Sequence, residues 1–159
     1  MADRKVFTAA LLTAVLLLAG AFELPRFFFF FELAKSTIYF GIALLVFYGE
    51  DRYGYVLGMV APVLWFIVDM LVGTFFHDFR VLGDFVTGHS IAAFDTPVHA
   101  LARLAALGLI VASIQAWRKT VPERMVGKTF WAGLAVSLVY VGVLTGWYFS
   151  AFSAVTRVP

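Results

Sequence analysis

Five apolar runs take up most of this chain, and each is close to the ~20 residues that an α-helix needs to cross a ~30 Å hydrocarbon core. The runs cover residues 6–22, 27–48, 53–76, 97–117 and 129–152. Apolar residues make up 62% of the sequence and charged residues 14%, whereas soluble domains have roughly 45–50% and about 25%. The pattern predicts an all-α polytopic membrane protein, a single domain built as a bundle of five transmembrane helices.

The first apolar run also has the features of a signal peptide. It follows a short basic segment, residues 1–5, and it ends in the small residues Ala19, Gly20 and Ala21, which are typical of a cleavage site. We interpret this run as the first membrane span and keep cleavage as the alternative.

The distribution of Lys and Arg predicts the orientation of the spans. With the N-terminus inside, the inner segments carry Arg4, Lys5, Arg52, Arg118, Lys119, Arg124 and Lys128. The outer segments carry only Arg26, Arg80 and Arg157. Because cytoplasmic loops are enriched in Lys and Arg, this favours an N-inside, C-outside protein. We expect it in the inner (plasma) membrane of a bacterium or archaeon.

The longest polar connection, residues 77–96, is then an outer loop between the third and fourth spans. With the span that follows it, this loop holds all three histidines of the chain, His77, His89 and His99. Its second part, residues 81–94, is half apolar and suits a short interfacial or re-entrant segment.

Helical spacing places polar residues of these two spans on facing stripes. Asp69 and His77 are two helical turns apart and are expected on one face of the third span. Asp95, His99 and Arg103 are spaced by four residues and share a face if the fourth helix begins slightly before residue 97. Since adjacent spans are antiparallel, Asp69 and Arg103 are predicted at similar depth, where opposite charges would pair.

Ionisable residues inside membrane spans are candidates for a functional site. The second span adds a Glu and a Lys at i, i+3 spacing in its outer half. If this span packs against the third and fourth spans, the predicted polar cluster consists of Glu32, Lys35, Asp69, His77, His99 and Arg103. Arg103 would bind an anionic head group or carboxylate, or Asp69 would relay protons. The structural alternative is that Asp69 and Arg103 only fix the register of two helices.

Imidazole and carboxylate groups near the outer surface also suggest two kinds of cofactor. The candidate ligands of a transition metal such as zinc are His77, Asp78, His89, Asp95 and His99. Such a metal would hold an activated water, although the spacing matches no established motif. Haem or chlorophyll is the other hypothesis, with His99 as axial ligand and His77 opposite it.

Two further motifs each have two interpretations. Five consecutive phenylalanines, residues 27–31, either face lipid near an interface or line a site for a quinone, pigment or acyl chain. Gly142 and Gly146 allow close helix approach, which we expect to serve packing within the chain rather than dimerisation.

These features leave three classes of function. The absence of cysteine excludes disulfides and thiolate metal sites, and no basic tract with interleaved aromatics points to nucleic acid. No nucleophile elbow or phosphate-binding loop is present, so catalytic residues stay unknown. We favour a membrane protein that binds a lipid, cofactor or protein partner in the outer half of the bundle, for instance as an accessory subunit of a larger membrane complex. The alternatives are a metal-dependent membrane enzyme and a small proton-coupled transporter or channel.

Overall fold

The regular structure of the chain is α-helical throughout the residues described by a computed structural model, namely 2–24, 26–49, 51–90, 95–122 and 125–156. These residues form six helices: α1 (Ala2–Ala21), α2 (Arg26–Phe47), α3 (Asp51–Val72), α4 (Thr74–Thr87), α5 (Val98–Thr120) and α6 (Lys128–Thr156). All except α4 are long and apolar enough to cross a membrane, in agreement with the five predicted runs.

The structure differs from the sequence prediction between the third and fourth spans. The third helix ends at Val72 because Gly73 adopts a left-handed conformation, with φ of 86°, and a new helix begins at the next residue. Much of the predicted outer loop over 77–96 is therefore helical. This helix, α4, has an amphipathic sequence, and Val81 is its buried residue. Residues 91–94 of the predicted interfacial segment lie outside the described residues.

The central helix of the bundle is α3, which contacts each of the other five. Two glycines near its start allow neighbours to approach closely. A Cβ atom at Gly54 would lie 2.7 Å from Val46 Cγ2 in α2, and one at Gly58 would overlap Ser113 Oγ in α5. Gly54 therefore allows the close approach of α2, and Gly58 allows that of α5.

Polarity in this bundle is arranged in the opposite way to a soluble protein. Lys35, Asp69 and Arg103 are at most 9% exposed, whereas Leu71 is 82% and Val139 is 66% exposed. Buried charges and exposed apolar side chains are consistent with lipid as the surrounding medium.

The last helix, α6, packs mainly against α3 and leaves much of its apolar surface exposed. The helices approach at Gly133, where an added Cβ atom would lie 3.2 Å from Val56 Cβ. Added Cβ atoms at Gly142 and Gly146 would meet nothing within 4 Å in the described part of the chain. The prediction that this glycine pair packs within the chain is therefore wrong.

Candidate functional site

A cavity of about 230 Å³ lies where the five long helices meet at one end of the bundle. Its lining comes from the C-terminal parts of α1, α3 and α6 and the N-terminal parts of α2 and α5. Five spans that alternate in direction bring these ends together. The short helix α4 adds Thr74, His77, Asp78 and Val81 to the lining.

Arg103 lies between two carboxylates in this cavity. Its Nη1 donates to Asp69 Oδ2, and its Nε and Nη2 donate to Asp78 Oδ2 at 2.8 and 2.5 Å. All three side chains are between 9% and 14% exposed. The pairing of Asp69 with Arg103 follows the prediction from equal depth, whereas the second carboxylate was not anticipated as a partner of Arg103.

Lys35 extends this arrangement onto α2. Its Nζ donates to Asp69 at 3.5 Å and lies 3.8 Å from Glu32 Oε1. The five side chains form a line of alternating charge, which we call the ion-pair chain: Asp78, Arg103, Asp69, Lys35 and Glu32. Alternation lets each buried charge face an opposite one, which offsets part of the cost of removing it from water.

His77 lies at the rim of the cavity rather than on the third span. Because Gly73 ends α3, this histidine belongs to α4, and its Nε2 is 3.1 Å from Asp95 Oδ1. Its side chain is 51% exposed. Asp95 precedes α5 instead of sharing a helical face with His99, since the helix starts only at Val98. The pair therefore links α4 to the segment that enters α5.

Several buried polar atoms in the cavity lack a hydrogen-bond partner among the described residues. They are Glu32 Oε2, Trp65 Nε1, His99 Nε2 and Thr145 Oγ1. The side chain of Trp65 is almost fully buried, at 1% exposure. A buried polar group without a partner costs roughly 1–3 kcal/mol, so the four beside this cavity make it a candidate site for a polar group.

Aromatic side chains form one wall of the cavity, next to Glu32. The ring of Phe31 is 4.7 Å from that of Tyr148 and 5.9 Å from that of Trp65, and Phe28 is 6.0 Å from Tyr148. Phe30 is 58% exposed. Within the phenylalanine run, Phe28 and Phe31 therefore line the cavity, whereas Phe30 faces outward. We call Phe28, Phe31, Trp65 and Tyr148 the aromatic wall.

The five candidate metal ligands are distributed among separate contacts. Asp78 binds Arg103, His77 contacts Asp95, and His89 Nδ1 lies 2.6 Å from Thr87 Oγ1 at the exposed end of α4. Within the described ranges, no three His, Asp or Glu side chains are grouped so that they could hold a metal ion.

The two histidines of the haem hypothesis both line the cavity. The His99 ring packs against α1, where a Cβ atom added at Gly20 would lie 2.7 Å from its Cε1. The cavity is smaller than the ~300–1,000 Å³ typical of sites for drug-sized ligands, so it suits a small head group better than a macrocycle.

Sequence reasoning missed the contribution of α6 to the cavity. Thr145, Tyr148 and Phe149 line it, although the sequence pattern places them in an ordinary apolar span. The available signal was a hydroxyl followed three residues later by a tyrosine, which places two polar groups on one helical face. Comparisons of the chain with protein-family models, curated proteins and solved structures find no match.

Proposed function

We propose that this chain is a small integral membrane protein whose cavity binds the polar part of a lipid or other small ligand. The observation that carries this function is the set of four unpartnered buried polar atoms beside the ion-pair chain. Intramembrane ionisable groups are rare and usually mark a binding site or pathway. Here they converge on one enclosed space instead of being dispersed among the helices.

Binding is favoured over catalysis by how the charged groups are used. Arg103 donates three hydrogen bonds to two carboxylates, and Asp69 contacts both Arg103 and Lys35. Asp69, Asp78 and Arg103 held in this way rigidify and charge the cavity, and the two carboxylates would have to leave Arg103 to act as general bases or metal ligands. The groups that keep hydrogen-bonding capacity lie on the cavity wall.

The excess of Lys and Arg on one side supports an orientation with the N-terminus inside and the cavity in the outer half. Single cysteines test this, because the chain has none of its own. Thr87, at the end of α4, and Thr120, at the end of α5, are both exposed. A membrane-impermeant maleimide should label Thr87→Cys in intact cells and label Thr120→Cys only after permeabilisation. The reverse pattern would contradict the orientation, and labelling of both in intact cells would contradict the alternation of spans.

A ligand that occupies the cavity should remain bound to protein purified from its native membrane in mild detergent. Native mass spectrometry is expected to show an additional mass on the wild-type chain. Ala106 lines the cavity and is 3% exposed, so Ala106→Phe places a ring in it and should remove most of that mass. Leu104 is 44% exposed on the same helix and does not line the cavity, so Leu104→Phe should retain it. Equal retention by both variants, each with a cooperative melting transition, would sink the proposed function.

A further inference from the structure

The ion-pair chain has an excess of negative charge. Three carboxylates, Asp78, Asp69 and Glu32, alternate with two cations, Arg103 and Lys35. At one end of the ion-pair chain, the Asp78 carboxylate on α4 accepts two hydrogen bonds from the guanidinium of Arg103. The carboxylate at the other end, on α2, has only the longer 3.8 Å contact with Lys35. The unbalanced charge is therefore concentrated at Glu32.

Glu32 offers a hydrogen-bond acceptor that no group in the described part of the chain uses. Its side chain is 13% exposed, and Oε2 is buried without a partner. A buried carboxylate oxygen is stabilised most by a charged donor. Lys35 does not fill this role, because its Nζ lies closer to Asp69 and 5.0 Å from the centre of the Trp65 ring.

The aromatic wall adds a second attraction for positive charge. The faces of Phe, Tyr and Trp rings carry partial negative charge and attract cations within about 6 Å. Trp65 already interacts in this way with Lys35, while Phe28, Phe31 and Tyr148 border the same cavity on the side of α2 and α6. A carboxylate next to several aromatic rings is the combination that recognises organic cations.

We propose that the cavity binds a primary ammonium group, which donates a hydrogen bond to Glu32 Oε2 and lies against the aromatic wall. This assignment rests on the proposed function and names the chemistry of its ligand. A primary ammonium fits better than a quaternary one, because Oε2 requires an N–H donor. The indole N–H of Trp65 then donates to an oxygen of the same ligand, as in an aminoalcohol or its phosphate ester. The amine comes either from a lipid head group or from a soluble molecule.

A ligand that carries negative charge and no ammonium group fits this cavity less well. Three of the five N–H donors of Arg103 bind Asp69 and Asp78, so an anion at the remaining donors would lie beside two carboxylates. It would also enter a space with a net negative charge. A small hard metal ion prefers several oxygen ligands, and the aromatic wall supplies none beyond the hydroxyl of Tyr148.

The test uses the full chain in nanodiscs that contain equal amounts of phosphatidylethanolamine and phosphatidylglycerol. These lipids differ in whether the head group carries an ammonium or a glycerol. Native mass spectrometry measures which lipid stays bound after release from the disc. A parallel titration uses free ethanolamine, with ethane-1,2-diol as the analogue in which a hydroxyl replaces the ammonium.

The wild-type chain should retain phosphatidylethanolamine in preference to phosphatidylglycerol, or bind free ethanolamine and not the diol. Preference for the lipid identifies a membrane source, and binding of free ethanolamine alone identifies a soluble one. Glu32→Gln should weaken this binding about tenfold or more, as expected for loss of a charged hydrogen bond. Glu23→Gln makes the same change at an exposed residue that does not line the cavity and should leave binding unchanged. Tyr148→Leu, which keeps the carboxylate, should weaken it about fivefold.

Two results overturn the assignment in distinguishable ways. Equal retention of both lipids with no effect of Glu32→Gln would show that the cavity binds a ligand without selecting an ammonium, and the proposed function would stand. Failure of the folded wild-type chain to bind either lipid, ethanolamine or the diol, together with no co-purified mass, would remove both the assignment and the proposed function.

Discussion

Replacement of Arg103 by Gln is expected to lower the free energy of unfolding by about 3–5 kcal/mol, because it leaves buried carboxylates without their cation. Asp78 would lose both of its hydrogen bonds from the guanidinium, and Asp69 would keep only the longer contacts with Lys35 and Thr74, each at 3.5 Å. Two carboxylates in one poorly hydrated space would then repel each other. The measurement is equilibrium denaturation of the purified protein in mixed micelles, followed by circular dichroism.

Arg118→Gln provides the matched control on the same helix. Arg118 is exposed in the last turn of α5, where a positive charge contributes about 0.3–1 kcal/mol through the helix dipole. A double-mutant cycle tests the pair itself. Combining Asp69→Asn with Arg103→Gln should cost less than the sum of the single changes, since each removes a charge that the other leaves unpaired. Strictly additive effects would show that the two residues do not interact.

The prediction that Asp69 and Arg103 lie together depended on properties that the sequence carries directly. The length of the apolar runs sets the number of long helices, and alternation of direction sets which ends meet. The position of a charge along its run then gives its depth. Lys35 and Glu32 are predicted in the same cluster by the same argument. They lie near the start of α2, which begins at the end of the bundle that holds Asp69 and Arg103. Depth along the bundle axis was therefore predictable.

Position around the bundle axis was not predictable in the same way. The partner of Asp78 depends on where α4 points after the turn at Gly73, and a single left-handed glycine changes that direction completely. Hydropathy gives no warning of this turn, since the apolar run over 53–76 continues past the end of α3 into the first turn of α4. The role of Thr145 and Tyr148 likewise depends on which face of α6 meets the cavity. Two polar groups on an otherwise apolar helix form too short a stripe to fix its rotation against its neighbours.

The two glycine pairs show that close contacts between helices are also not predictable from spacing alone. Gly54 and Gly58 lie at tight contacts, whereas Gly142 and Gly146 face open space, although both pairs have the same spacing. A small-xxx-small pattern states that a close approach is possible, and only the arrangement of neighbours decides whether it is used.

Gly58→Leu should be the most damaging substitution at a glycine on α3, with an expected loss of about 3 kcal/mol. A Cβ atom at Gly58 would overlap Ser113 Oγ and lie 3.3 Å from Leu109 Cδ1, so a leucine has no space unless α3 and α5 separate. Asp69 lies 11 residues after Gly58 in α3, and Arg103 lies 10 residues before Ser113 in α5. Because the two helices are antiparallel, both steps lead over nearly the same distance toward the same end of the bundle. Separation at Gly58 would therefore also strain the contact between Asp69 and Arg103. Denaturation in mixed micelles measures the loss.

Gly108→Leu makes the same substitution on α5 at an exposed position, where an added Cβ atom meets nothing within 4 Å in the described part of the chain. It should be neutral or stabilising by up to about 1 kcal/mol, because glycine is a poor helix former. A smaller substitution tests the overlap between a Cβ atom at Gly58 and Ser113 Oγ by itself. Gly58→Ala alone should destabilise, and adding Ser113→Ala should restore most of the loss, since it removes the hydroxyl and leaves Cβ atoms near ordinary contact. If Gly58→Leu and Gly108→Leu proved equally tolerated, α3 and α5 would not be in close contact at this point. The geometry that places Arg103 beside Asp69 would then lose its support.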